Sequence, residues 1–116
     1  GTTQKRVFTS PMATRHPDIA RVITAMQANI ATPLAQDELA EIFGKTTRHL
    51  ERTFKAVTGD TPKSFYLGLR LEQARDLLSE TGMSMLEVAI ATGFISRGSF
   101  SKAFRGRFGT SPTKFR

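Results

Sequence analysis

Residues Ser84 to Phe115 read SMLEVAIATGFISRGSFSKAFRGRFGTSPTKF, and this run decides the fold. Ser84 with Glu87 three positions on is a capping box, so a short helix starts there. Leu86, Val88 and Ala89 are its core side, and Gly93 closes it. Ser96 then caps a second helix. Phe100, Ala103, Phe104 and Phe108 recur at helical spacing and face inward, whereas Arg97, Lys102, Arg105 and Arg107 face outward. Gly109 ends that helix, Ser111-Pro112 starts one more turn, and Phe115 packs back.

The same punctuation stands earlier in the chain. FKAVTGDTPKSF, Phe54 to Phe65, and FRGRFGTSPTKF, Phe104 to Phe115, carry Phe, a basic residue, Gly, Pro and Phe at one spacing. Ahead of the first copy, Thr46 caps a helix with Leu50, Phe54 and Val57 on one face. Arg48, Glu51, Arg52 and Lys55 lie on the other. A shorter helix precedes it, capped by Gln36 or Asp37, buried through Leu39, Ala40 and Phe43, and stopped by Gly44. Leu39-Ala40 matches Val88-Ala89, Gly44 matches Gly93, and Leu50 matches Phe100, with one extra residue in the second turn around Phe94-Ile95. The repeat is a short helix, a tight turn and a cationic amphipathic helix, which is the helix-turn-helix pattern. One copy is a weak pointer; two, each with its cations on the second helix, are much stronger.

Working outward, Ile19, Val22, Ile23, Met26 and Ile30 mark an amphipathic helix that opens at Pro17 and ends near Thr32-Pro33. Asp60 or Thr61 caps a long helix with Pro62 in its first turn, running to about Glu80. Phe65, Leu69, Leu71, Ala74, Leu77 and Leu78 make it apolar on more than one side, so it needs neighbours on both. The expected architecture is all-α, with about seven helices. Residues 1–16 form a flexible linker, 17–60 a first helix-turn-helix lobe, 61–80 a connecting helix and 81–116 a second lobe.

Charge adds a functional pointer. The 116 residues carry a net charge of +7. From Pro17 to Phe43 one base, Arg21, faces four acids, Asp18, Asp37, Glu38 and Glu41. The cations gather instead at Lys45, Arg48, Arg52 and Lys55, and at Arg97, Lys102, Arg105 and Arg107, as a nucleic-acid footprint would. Cysteine is absent, which excludes disulfides, thiolate metal sites and a cysteine nucleophile. His16 and His49 are too isolated for a metal site. With no Gly-rich phosphate loop and no nucleophile–base pairing, neither an enzyme nor a cofactor is expected. No apolar run approaches a membrane span and nothing resembles a signal peptide, so a cytoplasmic location without membrane partners is expected.

LAEIFGKTTRHLERTFKAVTGDTPKSF, LRLEQARDLLSETGMSMLEVAIATGF and SFSKAFRGRFGTSPTKFR together resemble the DNA-binding domain of the AraC/XylS family of bacterial transcription regulators, over residues 18–116. YLGLRLEQARDLL is similar to a subgroup whose N-terminal half is a class I glutamine amidotransferase-like domain, which would lie before Thr2. The resemblance implies two helix-turn-helix lobes joined by a long helix, with one recognition helix in each of two successive major grooves. It places base contacts at Arg48, Glu51 and Arg52, and at Arg97, Gly98, Ser101 and Lys102. Arg suits guanine O6/N7, and Glu accepts from cytosine N4. Phosphate contacts fall on Thr46, Thr47 and Ser96 at helix N-termini, with Lys55, Arg105 and Lys114 as further candidates. Double-stranded DNA is the implied partner and RNA polymerase a candidate second one. Effector and dimer contacts would belong to the N-terminal half, leaving this stretch monomeric.

Four positions depart from the family pattern. Lys45 replaces an aliphatic residue, Thr47 a common Pro, and Gly98-Ser99 a small polar residue followed by His or Tyr. Gly98 offers no side chain to a base and weakens its helix by about 1 kcal/mol relative to Ala. The first lobe is therefore expected to specify more, and the second to grip phosphate through Arg97 and Lys102. Two plainer readings stand beside these: Glu51 pairing with Lys55 or Arg48, and Arg107 as simple surface. The competing function is a basic helical module that docks on an acidic protein partner and binds DNA without sequence preference.

Overall fold

The computed structural model describes residues 15–116, so the linker expected at 1–16 lies almost wholly outside the described residues. Among these the chain forms seven helices: α1 (Pro17–Ala28), α2 (Gln36–Phe43), α3 (Thr47–Thr58), α4 (Pro62–Glu80), α5 (Met85–Ala91), α6 (Arg97–Phe108) and α7 (Pro112–Phe115). The described residues contain no strand.

The chain divides into two compact units, and the division falls inside α4, between Ser64 and Phe65. In the first unit, α1 and α2 both pack on α3 or on each other. Ile19, Val22, Ile23 and Met26 of α1 meet Leu39, Ala40 and Phe43 of α2 and Leu50 and Phe54 of α3, all at 5% exposure or less. The i, i+3, i+4, i+7 spacing puts each of these sets on one helix face.

The second unit takes in Asn29–Pro33 and everything from Phe65 onward. Its core is Leu71, Ala74 and Leu78 of α4, Val88 and Ala89 of α5, and Phe100 and Phe104 of α6. Phe104 is the hub of the rings: its centroid lies 5.7 Å from Phe100, 4.6 Å from Phe108 and 5.6 Å from Phe115. Phe100 and Phe104 are fully buried core residues, as the helical period implies, whereas Phe108 is half-buried and Phe115 remains exposed at the edge of the cluster.

One cap differs from the sequence reading, and at another the structure selects between the two residues offered. Residue 35, an alanine, is the N-cap of α2, with Gln36 already helical; the first turn is satisfied by Glu38, whose Oε1 accepts from the Ala35 amide at 2.8 Å. The Glu38 amide, from which a cap hydroxyl at position 35 would have accepted, instead donates to Asp37 Oδ1 at 3.0 Å. At α4, Thr61 is the cap, its Oγ1 accepting from the Ser64 amide at 3.1 Å, and Asp60 Oδ1 accepts from the Thr61 amide.

Candidate nucleic-acid interface

Each unit presents a helix pair joined by a short turn. In the first, Gly44 ends α2 at φ 92° and Thr46 opens α3, with Thr46 Oγ1 accepting from the His49 amide at 3.1 Å. In the second, Gly93 follows α5 at φ 83° and Ser96 opens α6, with Ser96 Oγ accepting from the Ser99 amide at 3.1 Å. L-residues rarely adopt such φ, so glycine is required at both turns. The extra residue of the second turn is Phe94, whose ring sits 5.3 Å from Phe100.

Arg48, Glu51, Arg52 and Lys55 are all exposed, and together with Ala56 and Thr61 they line one shallow depression. Thr61 was read from the sequence only as a candidate helix cap; its place within the G-x-x-P punctuation, just before Pro62, was the available pointer. Of the second-unit positions, Arg97, Gly98, Lys102 and Arg105 are exposed and Ser101 is half-buried. Thr46, Ser96 and Lys114 are exposed, and Thr47 is half-buried.

Glu72 makes the ion pairs found among the described residues, with Arg75 at 3.0 Å and with Arg107 at 3.4 Å. Glu51 therefore pairs with neither Lys55 nor Arg48 there. Arg48, Arg52, Lys55, Arg97, Lys102 and Arg105 likewise have no carboxylate within ion-pair distance among these residues. Cations left uncompensated on an exposed helix face are what a polyanion neutralises. Arg107, read from sequence as simple surface, instead reaches α4. Its guanidinium lies 3.2 Å from where a Cβ on Gly68 would stand, so Gly68 makes room for it.

Two arginines without an assigned role in the sequence hold the second pair in place. Arg70 of α4 donates from Nε to the Thr92 carbonyl and from Nη2 to the Gly93 carbonyl, both at 2.8 Å. Its guanidinium also covers the Phe94 ring at 4.3 Å. Partial burial lowers its pKa from the ordinary value, with Tyr66 acting in the opposite sense. Arg116 donates to the Leu78, Thr81 and Met83 carbonyls, tying the chain end to the loop between α4 and α5. A periodic reading sees Arg70 only as a polar residue on an apolar helix; its carbonyl partners are 22 and 23 residues away and invisible to local pattern.

No group of three or more His, Asp or Glu residues converges as a metal site among the described residues. His49 turns its ring onto Phe43, with centroids 5.6 Å apart. No described helix is long and apolar enough to cross a membrane.

Two turn-linked helix pairs, each exposing cations on its second helix, define a double helix-turn-helix protein. A helix-turn-helix domain model matches residues 39–116. The chain is 46% identical over 98 residues to the transcriptional regulator CdhR of Pseudomonas aeruginosa, covering 84% of this chain and 29% of that protein. It is 41% identical over 101 residues to the regulator GbdR of the same species, covering 87% of this chain and 28% of that protein. Among solved structures, an AraC-type DNA-binding-domain regulator from Chromobacterium violaceum superposes with a TM-score of 0.84 at 38% identity, covering 90% of this chain and 93% of that one. The DNA-binding domain of AdpA, solved with a target DNA, gives 0.81 at 28% identity, covering 84% and 88%. The chain belongs to the AraC family of helix-turn-helix regulators. It spans less than a third of the length of CdhR or GbdR.

Proposed function

We propose that the chain is the sequence-specific duplex-DNA-binding part of a bacterial transcription regulator, with α3 and α6 entering successive major grooves. The observation that carries this reading is the depression on α3. It brings Arg48, Glu51, Arg52 and Lys55 onto one exposed surface with no internal ion pair among the described residues. Arg48, Glu51 and Arg52 read base edges in the first lobe; Arg97, Gly98, Ser101 and Lys102 lie against them in the second. Thr46, Thr47 and Ser96 meet phosphates. The Thr46 and Ser96 oxygens already accept the cap bonds of their own helices, and the first amides of a helix have no intrahelical partner. Lys55, Arg105 and Lys114 supply further phosphate charge. One chain carries both reading helices, so a site needs no palindrome.

The names of CdhR and GbdR as transcriptional regulators support the regulatory role, and their length leaves effector binding and dimerisation to parts outside these two lobes. RNA polymerase as a second partner and a cytoplasmic location complete the reading. A labelled duplex enriched from a random library, titrated with unlabelled duplex of the same or scrambled sequence, tests it. Scrambled competitor should be weaker by about a thousandfold or more. Equal competition would favour the basic protein-docking module.

A further inference from the structure

Ile95 is 97% exposed, more than any other large hydrophobic residue of the described chain. It stands immediately before Ser96, the N-cap of α6. A hydrophobic residue at that position ordinarily folds back onto the fourth residue of its helix, which here is Phe100. Phe94 already occupies that place, its ring 5.3 Å from Phe100 and covered by Arg70 at 4.3 Å. Ile95 is thereby left pointing to solvent with no packing role, beside the exposed Arg97.

The repeat sharpens the point. Aligned through the caps Thr46 and Ser96, Ile95 corresponds to Lys45, and Gly98 corresponds to Arg48. The second lobe thus lacks the arginine of the first at its second helical position and carries an apolar side chain just ahead of the helix. Gly98 is not forced by crowding, since a Cβ there would meet only Ser96 Oγ, at 3.8 Å. The N-terminal end of a recognition helix is the end that reaches base edges. The one apolar group that the major groove offers is the thymine C5-methyl.

We infer that Ile95 is a specificity-determining residue that packs on a thymine methyl group in the groove entered by α6. This rests on the DNA-binding reading above. Its consequence is that the second lobe reads by apolar contact what Gly98 does not read by hydrogen bonding.

The test uses the chain itself and a duplex selected from a random library. Each thymine of that duplex is replaced in turn by deoxyuridine, which lacks only the methyl group. Affinities are measured for the wild type, Ile95→Ala and Arg52→Ala. For the wild type, one replacement in the block read by α6 should weaken binding about fourfold, the equivalent of one buried methyl group. Ile95→Ala should abolish that sensitivity while Arg52→Ala retains it. Full exposure of Ile95 makes loss of folding an unexpected outcome, and circular dichroism of the variant checks it. Sensitivity that persists in Ile95→Ala, or no sensitive thymine in that block, would overturn the inference and leave DNA reading intact. A DNA affinity unchanged by Ile95→Ala on every duplex would also overturn it. Failure of the wild type to enrich any sequence would remove both this inference and the reading beneath it.

Discussion

The two lobes share one punctuation and use it under different constraints. Gly44 and Gly93 both take positive φ at the turn of their helix pair. A Cβ added to Gly44 would meet nothing within 4 Å, whereas one on Gly93 would lie 2.7 Å from the Ile30 carbonyl oxygen and 2.8 Å from Pro33 Cγ. The first turn needs glycine for its backbone angle alone. The second needs it for the angle and for space, because Asn29–Pro33 packs into the same unit. The exposed faces of α3 and α6 diverge in the opposite sense. The first displays Arg48, Glu51 and Arg52; the corresponding positions of the second hold Gly98, Ser101 and Lys102. The second lobe is thus held by more contacts around its turn and, at these three positions, offers fewer charged side chains.

The largest expected effect separates the two turns. Gly93→Ala should cost about 2–5 kcal/mol, combining the left-handed penalty with overpacking, and Gly44→Ala only about 1–2 kcal/mol. Chemical denaturation followed by circular dichroism measures both; equal losses would erase the distinction. Arg70→Ala comes next. It removes two charge-assisted bonds to the Thr92 and Gly93 carbonyls and should destabilise the chain by about 1.5–3 kcal/mol. Hydrogen exchange should show the loss confined to amides of the second unit; uniform loss would contradict a local clamp.

On the reading side, Arg48→Ala or Arg52→Ala should cost about 1–3 kcal/mol of discrimination at one or two base positions, judged by affinity for single-substitution duplexes. Equal weakening on specific and random DNA would reassign them to phosphate. The smallest effect belongs to Lys55→Ala, which should weaken all sequences alike and flatten the salt dependence of binding by about one unit of slope. A changed sequence preference would sink its assignment to phosphate.

Much of this fold was legible in the sequence because its determinants are local. The Ser84–Glu87 capping box, Ser96, the glycines after each helix and the spacing of Phe100 and Phe104 all act within one or two turns of chain. The cationic faces of α3 and α6 followed from the same periodicity. What local pattern could not supply were contacts between distant segments: Arg70 on the second turn, Arg116 on the α4–α5 loop, and Arg107 on Glu72. The cap of α2 was misplaced because Ala35 has no polar side chain to signal it: Asp37 accepts from the Glu38 amide and Glu38 from the Ala35 amide. The exposure of Ile95 was equally hidden, because a hydrophobic residue before a helix cap ordinarily packs inward.

The central claim is that both lobes read duplex DNA and that the first specifies more. Selection of binding sites from a random duplex library at near-physiological salt, run on the wild type and on Arg48→Ala/Arg52→Ala, tests it most directly. The account predicts a non-palindromic motif of two blocks about one helical turn apart, the stronger of which is lost in the double variant. Absence of any enrichment, or a strong block that survives the double variant, would contradict it.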